Sequence, residues 1–223
     1  MLISRVELPV SNAAQAAGFY RDILGLPTRA DDDIVEVQVG ASGLMLGQQA
    51  VQPGAYHCAI TIPADRFDQA KVWLQQRVAP LGRNGQNEFT LAVPWNSQSV
   101  YFNGPDGIIL ELIARHDLPP ASKGPFTSAD MLRISEIGLA VPDVTTAVAQ
   151  LADTLSLPVF GTPAADFTPL GDHNGLLIVV RRGRPWFPTS NVLPSEGPLA
   201  VTVDTAAGRR SLRLMRDGTL HVA

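Results

Sequence analysis

Three side chains able to hold a metal ion stand at related places in a sequence that repeats itself. Four apolar segments, 6–10 (VELPV), 58–62 (CAITI), 137–141 (IGLAV) and 199–203 (LAVTV), share one pattern. Five places before the last apolar residue of each stand Arg5, His57, Glu136 and Pro198. Glu111, inside the apolar run IILELI, supplies a second carboxylate. An unpaired carboxylate among apolar neighbours costs several kcal/mol or stays protonated, so Glu111 calls for a cation, an arginine or solvent. One imidazole and two carboxylates suit Mn²⁺, Fe²⁺, Ni²⁺ or Zn²⁺ and leave positions open for water or substrate. Such an ion stabilises an enolate or alkoxide as a Lewis acid, or binds two neighbouring oxygens and O₂. A plainer reading stays open beside it. Glu111 then bonds an Arg or Tyr of a neighbouring strand, and His57 and Glu136 are ordinary polar residues at strand entries.

The elements that must bring these residues together recur in one order. A strand over 3–10 leads to Ser11 or Asn12, either of which can cap a helix through its side-chain oxygen. That helix places Ala16, Tyr20 and Ile23 on one face, with Phe19 four before Ile23, and stops at Gly25 and Pro27. Val35, Val37 and Val39 then alternate with polar residues as in a half-buried strand, and a short strand follows over 44–46. The second copy has a strand at 58–62 and a helix opened by Pro63, Ala64 and Asp65. It buries Phe67, Ala70 and Leu74 and reaches toward Val78. Strands over 89–93, 99–102 and 108–113 follow, the last two joined by the turn residues GPDG at 104–107. In the third copy, strand 137–141 precedes the cap Asp143 and a helix face of Val144, Val148, Leu151 and Leu155. Strands 167–170 and 176–180 flank the turn GDHNG. The fourth copy is reduced: strand 199–203, no amphipathic helix, and a terminal hairpin formed by 212–215 and 219–222.

The 223 residues are 45% hydrophobic and 17% charged with a net charge of −4, which describes an ordinary globular protein and gives no basic surface suited to nucleic acid or anionic membrane. The basic run 181–184 (RRGR) reads as a solvated loop at the end of a strand. The single cysteine, Cys58, has no internal disulfide partner and lies in an apolar strand, so a small buried side chain is expected. The first residues read as a strand rather than a signal peptide, and no apolar run reaches membrane-spanning length; a cytoplasmic protein is expected. The Pro- and Ser-containing stretch 118–125 is the linker candidate. The expected organisation is two paired βαβββ units over 1–116, a linker over 117–130, and a third unit with a truncated fourth over 131–223.

The repeats, the helix FYRDILGLP and the ending VYFNGPDGIILEL resemble the vicinal oxygen chelate superfamily, which includes glyoxalase I, fosfomycin- and bleomycin-resistance proteins and extradiol dioxygenases. The resemblance is strongest over 3–115 and fades over the last forty or so residues. It implies an α+β fold in which βαβββ units form curved mixed sheets around a cup. It also implies metal ligands from the first strand of each unit and from the glutamate of a last strand. His57 matches a first-strand ligand and Glu111 the last-strand glutamate. If units two and three pair, Glu136 fills the other first-strand position; if units one and two pair, it falls to Arg5, which cannot ligate a cation. Met45 and Ile178 stand where a fourth ligand would, so one metal per chain is implied. Tyr101, Trp95, Trp186 and His173 are the other cup candidates, with Tyr101 beside Glu111 and Trp186 as lid or wall. The chain departs from the His–His–Glu set of two-domain extradiol dioxygenases and from the four ligands usual in glyoxalase I. The expected activity is a metal-dependent lyase, isomerase or dioxygenase acting on a small molecule. A metal-free drug-binding protein of the bleomycin-resistance kind is the alternative. A homodimer is expected if the truncated unit leaves a strand edge open.

Overall fold

Four unequal copies of one strand–helix–strands plan build the chain in the computed structural model, which describes residues 1–120 and 124–223. Positions 121–123 of the expected linker lie outside the described residues. The first copy comprises β1 (Leu2–Val10), α1 (Ala13–Gly18) continued by a π-helical turn (Phe19–Ile23), β2 (Thr28–Asp31), β3 (Ile34–Val39) and β4 (Ser42–Gln48). Asn12 is the cap: its side-chain oxygen accepts from the Gln15 N–H at 2.8 Å. The π turn carries Ile23 off the buried face, so Ile23 is 37% exposed where α-helical spacing expects it inside; Tyr20 stays buried. The second copy comprises β5 (His57–Ile62), α2 (Phe67–Gln75), β6 (Pro80–Leu81), β7 (Phe89–Leu91), β8 (Ser97–Asn103) and β9 (Ile109–Arg115). The third has β10 (Arg133–Val141), α3 (Val144–Leu155, capped by Asp143), β11 (Phe167–Asp172) and β12 (Gly175–Arg181). In the fourth, β13 (Leu199–Thr205) turns directly into β14 (Gly208–Leu214), and β15 (Leu220–Val222) completes the hairpin.

Two mixed sheets result. One runs β15-β14-β13-β1-β4-β3-β2; the other runs β11-β12-β10-β5-β9-β8-β6, with β7 also on β8. Unit one is thus joined to unit four, and unit two to unit three, through the antiparallel pairs β1–β13 and β5–β10. Both joins cross the stretch 117–130. The fold is α+β with curved mixed sheets and a reduced fourth unit. Strand alternation sorts the side chains. Val6, Leu8, Val10, Cys58, Ile60, Ile62, Ile137, Leu139 and Val141 enter one core together with the buried faces of all three helices. The opposite, concave face of the second sheet receives His57 and Glu111 and the partners described below. Ser42 Oγ ties the sheets together, donating to the Ile3 carbonyl at 2.6 Å and accepting from the Ile134 N–H at 3.0 Å.

Each central strand carries a bulge at the same place. Ile134 pairs with Ile60 but Glu136 with Ala59, and likewise Ile3 pairs with Val203 but Arg5 with Thr202. The extra residue lets Ile134 and Ile137, three apart, both reach the core while Glu136 turns to the concave face. The same registers correct one correspondence drawn from the repeats: Ala200, opposite Glu7, occupies the place of His57 next to Gly138, whereas Pro198 lies before the strand begins.

Candidate metal centre

The centre is made by three adjacent strands. β5 opens on His57, the parallel β9 brings Glu111 one step further along at Ala59, and the bulge of β10 delivers Glu136 opposite Ala59. One ligand atom from each of the three lies within 4.8 Å of the others. His57 Nε2 stands 3.6 Å from Glu111 Oε2 and 3.7 Å from Glu136 Oε2. All three are buried, at 6%, 3% and 3% exposure. Among the described residues this is the one group of three or more His, Cys, Asp or Glu side chains so placed.

Local chemistry fits a cation there. The His57 Nδ1 is 3.2 Å from the Ile109 carbonyl, a contact that uses Nδ1–H and leaves Nε2 facing the carboxylates. A ring so tied is the usual state of a metal-bound histidine. Burial raises the Glu111 carboxyl to about 7, and the Glu136 charge pushes the same way against His57, Ser99 and Arg115. For His57, burial opposes the imidazolium, but the Glu136 contact and the charges of Glu111 and Glu136 outweigh it and raise its pKa. Glu111 and His57 thus hold protons more tightly in the metal-free site, and a divalent ion would replace those protons.

The cavity above the triad has a volume of about 220 Å³ and mainly aromatic walls. Tyr101, paired with Glu111 across β8–β9, and Trp95 both line it. Burial, then Glu111 and Glu136, hold the Tyr101 hydroxyl well above its ordinary pKa, so it stays a donor. Trp186 forms a wall: its ring centroid is 5.2 Å from that of His57 and its Nε1–H donates to the Ala55 carbonyl at 2.7 Å. It can sit there because position 138 is glycine; a Cβ at Gly138 would come within 2.4 Å of Trp186 Cη2. Ile178 also lines the cavity, at the fourth-ligand position, and offers no donor. Cys58 points into the core, where burial pushes its thiol up to about 12, and takes no part.

His173 is a correction. It stays in the turn between β11 and β12, 3.7 Å from Asp117 and edge-on to Phe160, and does not line the cavity, because that turn lies at the sheet's end. Two arginines were missed. Arg184, in the run read as a solvated loop, lines the cavity, pairs with Asp166 at 3.3 Å and lies over the Phe167 ring. Arg115 is fully buried and forms an ion pair with Glu136 through Nη2. Its signal was present: two and four residues beyond Glu111 on one strand, Ile113 and Arg115 share its face.

No family model and no curated protein matches the sequence. Solved structures do match the fold. A candidate dioxygenase from Bacillus subtilis subsp. subtilis str. 168 superimposes on 100% of this chain and 84% of its own, with a TM-score of 0.60 at 14% identity. A glyoxalase I mutant from Zea mays covers 99% of this chain and 91% of its own, with a TM-score of 0.59 at 12% identity.

Proposed function

We propose that this protein is a small-molecule enzyme of the glyoxalase/dioxygenase type, holding one divalent ion through His57, Glu111 and Glu136. The convergence of their ligand atoms within 4.8 Å in a buried cavity carries the reading. A bound Fe, Mn, Ni or Zn ion would supply Lewis-acid chemistry to an oxygen-bearing substrate, as a lyase, isomerase or dioxygenase uses it. The chain's own residues do the rest. Tyr101, kept protonated, donates a hydrogen bond to a substrate oxygen beside Glu111. Trp95 and Trp186 flatten the space and exclude water, and Glu111 exchanges a proton near neutral pH when it is not ligating. Elemental analysis of untagged protein tests this. About one equivalent of metal, lost in His57→Ala, supports it; metal content unchanged in both His57→Ala and Glu111→Ala ends it.

The Arg115–Glu136 ion pair favours a second reading, because Glu136 already has a cation. In it the cavity sequesters a planar compound without metal, as in bleomycin-resistance proteins. Thermal stabilisation by cationic aromatic compounds in chelator-treated protein supports this; no shift across such a set counts against it. Among the described residues no helix is long and apolar enough to cross a membrane, in keeping with a protein at work in the cytoplasm. Pairing of two chains along the three-residue edge β15 is the accompanying proposal, overturned by a monomer mass in light scattering at micromolar concentration.

A further inference from the structure

Arg115 is the least satisfied charged side chain of the site. It is 0% exposed, and among the described residues only its Nη2 has an acceptor, its Nε and Nη1 being buried without a hydrogen-bond partner. Buried guanidinium N–H groups lacking acceptors are destabilising, and such groups ordinarily meet a carbonyl, an anion or ordered water. Ser97 pairs directly with Arg115 across β8–β9, so the two side chains share a face, and its buried hydroxyl is also without a partner. Arg115 stands directly behind the cavity wall. It touches Glu136, and its guanidinium carbon lies 5.7 Å from the centroid of the half-buried Trp95 ring; Glu136 and Trp95 both line the cavity.

Charge points the same way, resting here on the metal reading above. A divalent ion with the Glu111 and Glu136 carboxylates is neutral as a set, and Arg184 is balanced by Asp166. Arg115 then leaves one positive charge uncancelled in a buried site. The cavity, about 220 Å³, is smaller than common ligand pockets of ~300–1,000 Å³ and mainly aromatic, so its occupant is compact and flat.

From these observations we infer that the cavity takes a compact planar monoanion, whose carboxylate-like group passes the Trp95 ring and is received by the free N–H groups of Arg115 and the hydroxyl of Ser97. A planar fork with open positions is suited to a carboxylate and gives it geometric as well as electrostatic selection over a neutral amide. Arg184, which faces the cavity but is already paired, serves the mouth rather than the inner end.

Benzoate and benzamide, equal in shape and different in charge, are the probes. Each is titrated against the chelator-treated protein and against protein given Mn²⁺, with tryptophan fluorescence as readout. Mn²⁺ binding itself is measured separately by electron paramagnetic resonance. At least a tenfold preference for benzoate is expected in both states, larger with Mn²⁺. Arg115→Met and Arg115→Lys should bring it near unity, and Ser97→Ala should reduce it a few-fold without touching Mn²⁺ binding. Ser97→Ala keeps the test decisive if the arginine variants do not fold. No preference in the wild type, or a preference that needs Mn²⁺ and survives Arg115→Met, overturns the inference, the latter by placing the carboxylate on the metal. A benzoate preference that needs Arg115 in a protein binding no Mn²⁺ upholds the subsite and removes the metal reading. Mn²⁺ bound with no preference does the reverse.

Discussion

The two sheets share a bulged strand at the joint between their units and have opposite contents. At the centre of one, Glu136, His57 and Ile178 line an aromatic-walled cavity, with Gly138 backing its Trp186 wall. At the matching places of the other stand Arg5, Ala200, Glu7 and Met45, along an open trough of about 350 Å³ that also takes in Arg213 and Met215. The larger concavity is therefore the one that lacks a buried His–Glu–Glu cluster among the described residues. In the trough, Arg5 and Glu7 satisfy each other at 2.9 Å in contact with water, whereas three ionisable side chains are buried in the cavity and Arg115 is buried behind its wall. Volume alone does not mark a site; buried groups left short of partners do.

The sharpest way to break that comparison is to remove the matching arginines. In metal-free protein, Arg115→Met leaves the buried Glu136 carboxylate with His57 as its remaining ion-pair partner and should cost about 3–5 kcal/mol in urea unfolding. Arg5→Met removes an exposed pair and should cost less than about 1 kcal/mol. Equal costs would mean that the inner site is as well solvated as the trough.

Next in size is a dependence on pH. Glu111 rises from 4.5 to about 7 on folding, so the folded chain holds its proton more tightly. That contribution is complete below the unfolded pKa and is lost as pH rises through the folded one. The raised His57 acts in the same direction. Metal-free protein should therefore lose on the order of 3 kcal/mol between about pH 4.5 and 7 from Glu111. Glu111→Gln should flatten that part of the profile, and a divalent ion should restore stability at pH 8 to the wild type alone. A flat profile across this window in chelator-treated protein would show the carboxylates to be solvated, and a rising one would show them held ionised by neighbouring cations.

A smaller effect tests the wall. Gly138→Ala drives a methyl against Trp186 and should cost roughly 1–3 kcal/mol. Glu7→Ala, its counterpart, should stay within about 0.5 kcal/mol. Calorimetric melting separates them, and a silent Gly138→Ala would mean that Trp186 moves freely.

Much of this was readable beforehand, and the failures have physical causes. Turn residues and alternation mark the principal strands of all four copies, and the matching positions of Arg5, His57 and Glu136 follow from their shared place before an apolar run. The exchange of Pro198 for Ala200 could not be seen, because a two-residue slip leaves a period-two pattern unchanged. β2 was hidden in a polar stretch (TRAD) whose side chains are mostly exposed. Arg115 was lost where the apolar run was taken to end at Ile113, although its strand continues to the arginine. His173 shows the converse: a chemically able residue beside a strand says nothing of which end of the sheet the turn occupies.

The paired bulges of β1 and β10 have a practical meaning. In β10 the added residue turns Glu136 to the concave face; in β1 it turns Arg5 there, and yet the backbone makes the same detour. The path of the main chain is therefore independent of the side chain it presents. New chemistry could be written onto the vacant half by exchanging residues such as Arg5, Met45 and Ala200, with no insertion or deletion. The protein thus carries a spare scaffold already bent to shape.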